Sequence, residues 1–391
     1  MTDQHEILIV GAGPAGSITA ALLARDGHDV LLLDKHQFPR EKICGDAISA
    51  RVIDVLQEAG MKGKVESAIS RGEFNPLTHM RLVSPKGHKM VAPLQKSENG
   101  FTSYVAPRFY FDILIQQHAI DSGAKFRHVK VEGPLIENGR VVGIRTHKNN
   151  NLENIYARII VGADGVNSVI APVLRQTVQH SDNHRALALR AYVEDIEVYP
   201  GEVEFYLYQS ILPGYAWIFP TGTGGANIGL GMRLDHYRKS PHNLKAKLDE
   251  FLAMPDIKER LKQGGRLRNL AAWPLNYGSQ SNLQYSFDGA ILVGDAAGFI
   301  NPLTGGGIYY SLLSGQLAAQ VIHKALNRGN TSLEGLQHYE KLCNDFLLAN
   351  LRSVYRLQKM LLRFPFLIDF FVKQMKGNSL LARTLKSKFL G

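Results

Sequence analysis

Short apolar runs and amphipathic stretches alternate through the first third of the chain. Residues 6–10 (Glu-Ile-Leu-Ile-Val) are almost wholly apolar, the pattern of a strand buried on both faces. Gly11-Ala12-Gly13-Pro14-Ala15-Gly16 follows, and an Ala- and Leu-rich stretch to about Arg25 predicts a helix. Asp26-Gly27-His28 turns the chain into a second apolar strand over 29–34. Together these segments predict a βαβ unit. Residues 126–160 alternate in the antiparallel manner, with a hairpin signal at Glu137-Asn138-Gly139, and 157–162 forms another apolar strand. Residues 186–234 predict longer antiparallel strands rich in Tyr and Phe, punctuated by Pro213-Gly214 and Gly224-Gly225. A strand over 289–293 precedes Gly294-Asp295, a helix follows over 308–325, and the pattern is helical from Leu333 onward. No internal repeat or low-complexity linker separates these parts, so a second domain is expected to be interleaved with the first.

At 391 residues, 45% hydrophobic and 20% charged, the chain has material for roughly two or three domains with ample core. Global disorder, collagen and coiled coil are excluded. The two cysteines, Cys44 and Cys343, are far apart and lack metal-binding spacing, and the 14 histidines show none either. A disulfide framework, a zinc site and an oxidising compartment are therefore not expected. The polar start Met1-Thr2-Asp3-Gln4-His5-Glu6 shows no secretory leader pattern, so a cytoplasmic location is the expectation.

The net charge of +10 changes this picture only through its location. Nine Lys/Arg (Arg352, Arg356, Lys359, Arg363, Lys373, Lys376, Arg383, Lys386 and Lys388) against the single acid Asp369 put +8 into residues 351–391. The body before them is nearly neutral and carries no recognisable nucleic-acid motif, so no nucleic-acid partner is expected.

Gly11, Gly13 and Gly16 have the G-x-G-x-x-G spacing between a strand and a helix. The first allows a tight turn, the second lets backbone approach a pyrophosphate, and the third permits close helix–strand packing. With Pro14 and Ala15 they open the helix, whose N-terminus favours an anion. Asp34 ends the next strand 18 residues after Gly16, where an acid would hold an adenosine ribose. An acid there suits FAD or NAD better than NADP. Two later turns follow strands as well: Gly162-Ala163-Asp164-Gly165 and Gly294-Asp295-Ala296-Ala297-Gly298. Each alone is an ordinary Asp-Gly turn or helix cap. All three in this order resemble the flavoprotein hydroxylases and their relatives, which implies FAD, with Asp295 on its ribityl chain. Arg108, in Arg108-Phe109-Tyr110-Phe111-Asp112, fits the Arg-x-x-x-Asp pattern that opens a helix against the flavin in those proteins. The plain alternative is an i,i+4 pair with Asp112 on the surface.

Over about residues 5–330 the chain resembles the geranylgeranyl reductase family of FAD-dependent oxidoreductases. Phe38-Pro39-Arg40-Glu41-Lys42-Ile43-Cys44-Gly45-Asp46-Ala47-Ile48-Ser49 is similar to its F-P-R-x-K-x-C-G-D-x-x-S segment. Tyr215-Ala216-Trp217-Ile218-Phe219-Pro220 matches its Y-x-W-x-F-P strand, and residues 294–307 (GDAAGFINPLTGGG) match a third block. Flavin-dependent halogenases share the scaffold but carry Trp and Ile where Tyr215 and Phe219 stand here. The resemblance implies an α/β fold: a Rossmann-type FAD-binding domain, an interleaved antiparallel-sheet substrate domain and a helical C-terminus. It implies cofactor contacts from Lys35, Arg40, Cys44, Gly45, Asp46, Gly165, Gly294, Gly305, Gly306, Gly307 and Ile308, besides the glycine loop, Asp34, Arg108, Asp164 and Asp295.

The activity it implies is reduction of carbon–carbon double bonds in an apolar isoprenoid or lipid chain. Trp217, Tyr215 and Cys44 are the candidate catalytic residues. Aromatic rings can stabilise the cationic character that builds on a tertiary alkene carbon, by roughly 1–2 kcal/mol when desolvated. Cys44 has the alternative of a small buried hydrophobe, and Phe219 reads as ordinary half-buried sheet. An aromatic or polyene hydroxylase is the second reading, and a non-catalytic flavin-binding sensor the third. With only one complete glycine motif, NAD(P)H, or ferredoxin or another reductase partner, is expected as a transient electron donor. Expected domain limits are 1–75, 102–175 and 270–325 for the FAD-binding part and 76–101 with 176–269 for the covering sheet. The region 326–391 is helical, and its basic end invites an anionic membrane surface at the inner face of the cell membrane, or else caps the substrate tunnel.

Overall fold

In the computed structural model, which describes residues 3–374 apart from 149, 150, 177 and 223, the first apolar run forms the strand Gln4–Val10 at the centre of a mixed sheet. Asn151–Gly162 and Val30–Asp34 flank it in parallel, with Ala290–Leu292 beyond the first and Lys125–His128 beyond the second. Ile7, Leu8 and Ile9 have no exposed surface, because both faces are covered by one core that takes in helix residues such as Ala20 and Ala318 and hairpin residues such as Val141 and Ile144. That double cover is why the run shows no polar alternation. The hairpin Val131–Glu137/Arg140–Lys148 extends the sheet in antiparallel fashion, with Asn138 and Gly139 both at positive φ in its turn.

Three parallel strands end at one edge, and this edge creates the site. Gly11 N donates to Leu33 O at 2.7 Å, and Ala163 N donates to Val10 O at 2.8 Å. The turns after Val10, Asp34 and Gly162 are thereby drawn together at the carboxyl ends of the strands, where open α/β sheets bind ligands. Gly11 has φ +105, and a Cβ on it would lie 2.3 Å from Ala163 O. A Cβ on Gly16 would lie 1.8 Å from Gly11 O. The helix Pro14–Arg25 can sit this close to the strand only with hydrogen at both positions.

A second, seven-stranded sheet runs in the order Leu261–Asn276, Arg185–Ile196, Ala226–Arg233, Tyr215–Pro220, Glu202–Tyr206, His79–Val83, Lys89–Pro93. Its period of two sorts side chains cleanly. Ala216 and Ile218 pack with Leu248 and Phe251 of the helix Leu244–Leu252, whereas Tyr215, Trp217 and Phe219 turn to the opposite face. The strand Leu261–Asn276 continues past position 270, where the expected domain limit falls, but its ladder with Arg185–Ile196 shifts register there, with Asn269 at φ +53. Of the other expected limits, those near 75 and 101 fall at a small sheet of Ala47–Ile48, Ser103–Val105 and Asn75–Leu77, that at 175 ends the helix Ala171–Arg175, and that at 325 falls inside the helix Ile308–Asn327.

The C-terminal helices tie the two sheets together. Tyr339 donates to Leu292 O at 3.1 Å, Gln358 donates to Pro302 O at 2.6 Å, and the buried carboxylate of Asp369 accepts from Ser84 Oγ at 2.6 Å. Pro365 separates the helices Ala349–Arg363 and Phe366–Gln374. Lys376, Arg383, Lys386 and Lys388, four of the nine cations of the expected basic tail, lie outside the described residues.

Candidate flavin site

Between the two sheets lies a cavity of about 1020 Å³. Its polar end is the glycine turn, and its apolar end is the aromatic face of the second sheet. Gly11, Gly13, Pro14, Ala15, Asp34, Lys35, Arg40, Arg108, Asp164, Gly165, Asp295 and the segment 305–308 all border it. So do Cys44, Gly45, Asp46, Tyr215 and Trp217. Gly16 and Gly294 do not. They stand one layer behind the wall, where a Cβ on Gly294 would lie 2.8 Å from the Ala15 Cβ. Their absent side chains serve packing, so contact with the cofactor is not what requires glycine there.

The polar end has the donor and acceptor set that FAD requires. Asp34 accepts from Ala12 N through Oδ2 and from His36 N through Oδ1, each at 2.8 Å, which fixes the carboxylate beside the turn. A Cβ on Gly13 would meet nothing nearer than Arg40 Nη2 at 3.7 Å, so this backbone faces open cavity at the start of the helix. Arg108 and Arg40 share Asp112: Arg108 makes a two-pronged pair at 2.5 and 2.8 Å, and Arg40 Nη2 stands 3.1 Å away. The i,i+4 pair read as the surface alternative therefore forms, but inside the protein. Two guanidiniums on one carboxylate leave net positive charge beside the glycine turn, which suits a pyrophosphate. Arg40 Nε and Asp164 Oδ1 are buried without a hydrogen-bond partner in the layer just behind the cavity wall. The 20-residue helix Ile308–Asn327 also points its N-terminus at the cavity, across Gly305, Gly306 and Gly307.

Across from the glycine turn, residues 38–49 form a loop latched to the second sheet by side chains that sequence reading missed. Arg190 donates to Cys44 O at 3.2 Å and to Lys42 O at 3.1 Å. Asn227 donates from Nδ2 to Cys44 O and to Asp46 Oδ2, both at 2.8 Å, and accepts from Trp217 Nε1 at 2.9 Å. Tyr192 adds a 2.5 Å bond to Asp46 Oδ2, while Asp46 Oδ1 has no partner. Burial raises the Asp46 carboxyl to about 6, against the opposing pull of Tyr192 and Asn227. Asp46 also sits at φ +64, so the latch holds a side chain and a backbone that both resist it. The Lys42 ammonium stands 3.7 Å from the centroid of the Trp273 ring, and burial, with Arg108 nearby, lowers it to about 8. The signals for these residues were polar side chains inside apolar strands, Asn227 between Ala226 and Ile228 and Arg190 amid alternating Ala and Leu.

The aromatic wall is close-packed. Trp217 and Phe219 stack at 6.0 Å between centroids, and a Cβ on Gly229 would lie 2.4 Å from Trp217 Cζ2. Phe219, read from sequence as plain sheet, borders the cavity, its ring 3.1 Å from where a Cβ on Gly45 would stand. Tyr215 donates its hydroxyl to Thr304 O, joining this wall to the 301–307 turn, and burial pushes its phenol up. Cys343 lies fully buried in the core, and its thiol is pushed up by that burial.

Fold and cavity together define a flavoprotein built on the FAD-binding scaffold, and residues 4–353 match the family described as FAD binding domain. The chain is 30% identical over 364 residues to a digeranylgeranylglycerophospholipid reductase of Methanocella arvoryzae, covering 92% of this chain and 88% of that one. It is 30% identical over 339 residues to a menaquinone reductase of Mycolicibacterium smegmatis, covering 82% and 77%. A geranylgeranyl bacteriochlorophyll reductase-like protein from Thermoplasma acidophilum superposes with TM-score 0.84 at 27% identity, covering 100% and 97%. A flavin-dependent brominase, at TM-score 0.77 and 19% identity over 98% and 93%, shares the fold. The chain belongs to the geranylgeranyl reductase family of FAD-dependent oxidoreductases.

Proposed function

We propose that the protein reduces carbon–carbon double bonds in an isoprenoid lipid chain, with FAD as the redox group. The observation that carries this reading is the polarity of the cavity between the two sheets. A cationic, glycine-lined end opens directly into a slot walled by Met80, Leu94, Phe205, Tyr215, Trp217 and Phe219. Bound FAD supplies the hydride. The chain's own residues do the rest. The glycine turn with the paired Arg40 and Arg108 would hold the pyrophosphate of the dinucleotide, and Asp34 its adenosine ribose. Trp217 and Phe219 exclude water from the alkene and offer their ring faces to cationic character at its tertiary carbon. The latch keeps Cys44 at the junction of the polar and apolar ends, and Cys44 Sγ and Tyr215 Oη are among the proton-bearing atoms there. Residues 1–75, 102–175 and 270–325 are taken as the cofactor-holding part and 76–101 with 176–269 as the cover, the strand Leu261–Asn276 serving both.

The donor docks transiently in this reading, either NAD(P)H or a separate reductase or ferredoxin, because one glycine motif serves one dinucleotide. The protein attaches peripherally to a membrane through its C-terminal helices. No helix among the described residues is long and apolar enough to cross one. Phe364, Phe366 and Phe370 are 43, 62 and 46% exposed at the break between the last two helices, beside Arg363 and Lys373. Exposed aromatics flanked by cations suit the headgroup region of an anionic bilayer.

Anaerobic titration tests the reaction. Holoprotein bleached with dithionite should regain its yellow colour when a geranylgeranyl lipid is added, in proportion to the double bonds offered. Recovery only on admitting oxygen would sink the reading and favour the hydroxylase alternative.

A further inference from the structure

A second concavity, of about 830 Å³, lies behind the flavin cavity and shares no residue with it. One wall is the helix Ala349–Arg363, which carries four cations and no acid. Arg352, Arg356 and Lys359 recur at helical spacing and border the groove together. The opposite wall consists of neutral polar side chains, Ser181, Ser279, Gln280, Ser281 and Asn282. Gln280 is locked in place: Oε1 accepts from Ser181 N at 3.0 Å, and Nε2 donates to Gln179 O at 2.9 Å. Tyr355 forms the floor, stacked at 4.5 Å on His184, with the Lys359 ammonium 5.1 Å from its centroid.

The cations here have not been neutralised by the acids beside them. Asp182 is engaged by Arg238, and Asp235 holds Arg233 with two bonds at 2.7 and 2.9 Å. Arg352 spends Nη1 on the neutral Asn344 Oδ1 at 3.0 Å, while its Nε is buried without any partner. Three cations in one groove, with no carboxylate in its lining, suit an anionic acceptor with several oxygens. The groove is also tied to the flavin site. Gly278 N donates to Ile300 O at 3.0 Å, and Tyr277 bridges to Ile300, which borders the flavin cavity.

We propose that the groove formed by Arg352, Arg356 and Lys359 against Ser279–Asn282 is a binding site for a phosphate group, separate from the FAD pyrophosphate site. Two carriers bear that chemistry: a lipid headgroup at the membrane, or a phosphate of a nucleotide electron donor. The site belongs to this chain whichever carrier fills it, and it does not depend on what is reduced at the flavin.

The test uses FAD-saturated full-length protein, so that the flavin site cannot take the probe. Inorganic pyrophosphate is titrated by calorimetry into wild type, into the double variant Arg356→Glu/Lys359→Glu, and into Arg328→Glu as a charge control outside the groove. All three changed residues are exposed. The double variant should bind at least about tenfold more weakly, while Arg328→Glu and the FAD content stay unchanged. Competition then identifies the carrier. Displacement of pyrophosphate by phosphatidic acid vesicles indicates a lipid, and displacement by adenosine 2′,5′-bisphosphate indicates a nucleotide. No pyrophosphate binding by wild type, equal binding by the double variant, or an equal loss in Arg328→Glu would each overturn the proposal.

Discussion

The two lips of the flavin cavity are built by different means. On one side, the turn over residues 10–15 is fixed by backbone. Gly11 N bonds Leu33 O, Ala163 N bonds Val10 O, and missing Cβ atoms allow the helix to close on the strand. On the other, the loop over 38–49 is fixed by side chains that arrive from strands far along the chain: Arg190, Tyr192 and Asn227. The first lip is a steric construction and should fail abruptly. The second is a hydrogen-bond network around a buried acid, so its failure should be graded and sensitive to pH.

The largest effect is expected on the steric side. Gly16→Val forces a side chain into Gly11 O and should cost more than about 3 kcal/mol, leaving the protein insoluble or free of flavin. Gly13→Val is the sharper variant, because its side chain has room in the protein and enters only the space reserved for cofactor. It should melt near the wild-type temperature but purify colourless. A yellow Gly13→Val protein would remove the distinction between the two lips.

Next comes the latch. The Asp46 carboxyl rises from 3.8 in the unfolded chain to about 6 in the folded one, so the folded state binds its proton more tightly. The contribution of this group to stability is fully present below pH 3.8 and is lost as pH rises through 6. It amounts to about 3 kcal/mol. Asp46→Asn keeps an acceptor for Tyr192 and Asn227 without the charge, and should flatten that dependence in denaturant melts between pH 4 and 8. An unchanged slope would show that Asp46 is not the titrating group.

Trp217→Phe touches the second lip and the aromatic wall together, through the bond to Asn227 and the stack on Phe219. FAD should be retained while turnover falls roughly fivefold to thirtyfold, matching a loss of about 1–2 kcal/mol at the transition state. Smallest of all, Phe366→Ser with Phe370→Ser should alter stability by less than about 0.5 kcal/mol, since both rings are exposed. The same pair should reduce sedimentation with anionic vesicles, and no loss there would remove these rings from membrane attachment.

Legibility in the sequence follows the same divide. The glycine turn, Asp34, Asp164 and Asp295 could be placed from sequence because local turns and strand periodicity position them, and each borders the cavity. Lys42, Arg190, Tyr192 and Asn227 could not, since their meeting depends on strand register between segments some 145–185 residues apart. Asn227 showed only as an amide interrupting an apolar strand, a signal that does not name its partner. Gly16 and Gly294 illustrate the converse: the glycine requirement was visible, but the object packed against them is protein. The expected limit at 270 falls at a register shift inside one strand, because Leu261–Asn276 pairs with Arg185–Ile196 on both sides of it while residues such as Ala271 and Trp273 line the cavity.

The central claim, that this cavity brings an isoprenoid double bond to a reduced flavin, is tested most directly by the mass of the product. Holoprotein reduced under argon is mixed with a detergent-dispersed geranylgeranyl lipid, and the lipid is recovered for mass spectrometry. The account predicts products heavier by two hydrogens for each double bond reduced, with one hydrogen at each former alkene carbon. Recovery of the lipid unchanged, or heavier by an oxygen once air is admitted, would contradict it.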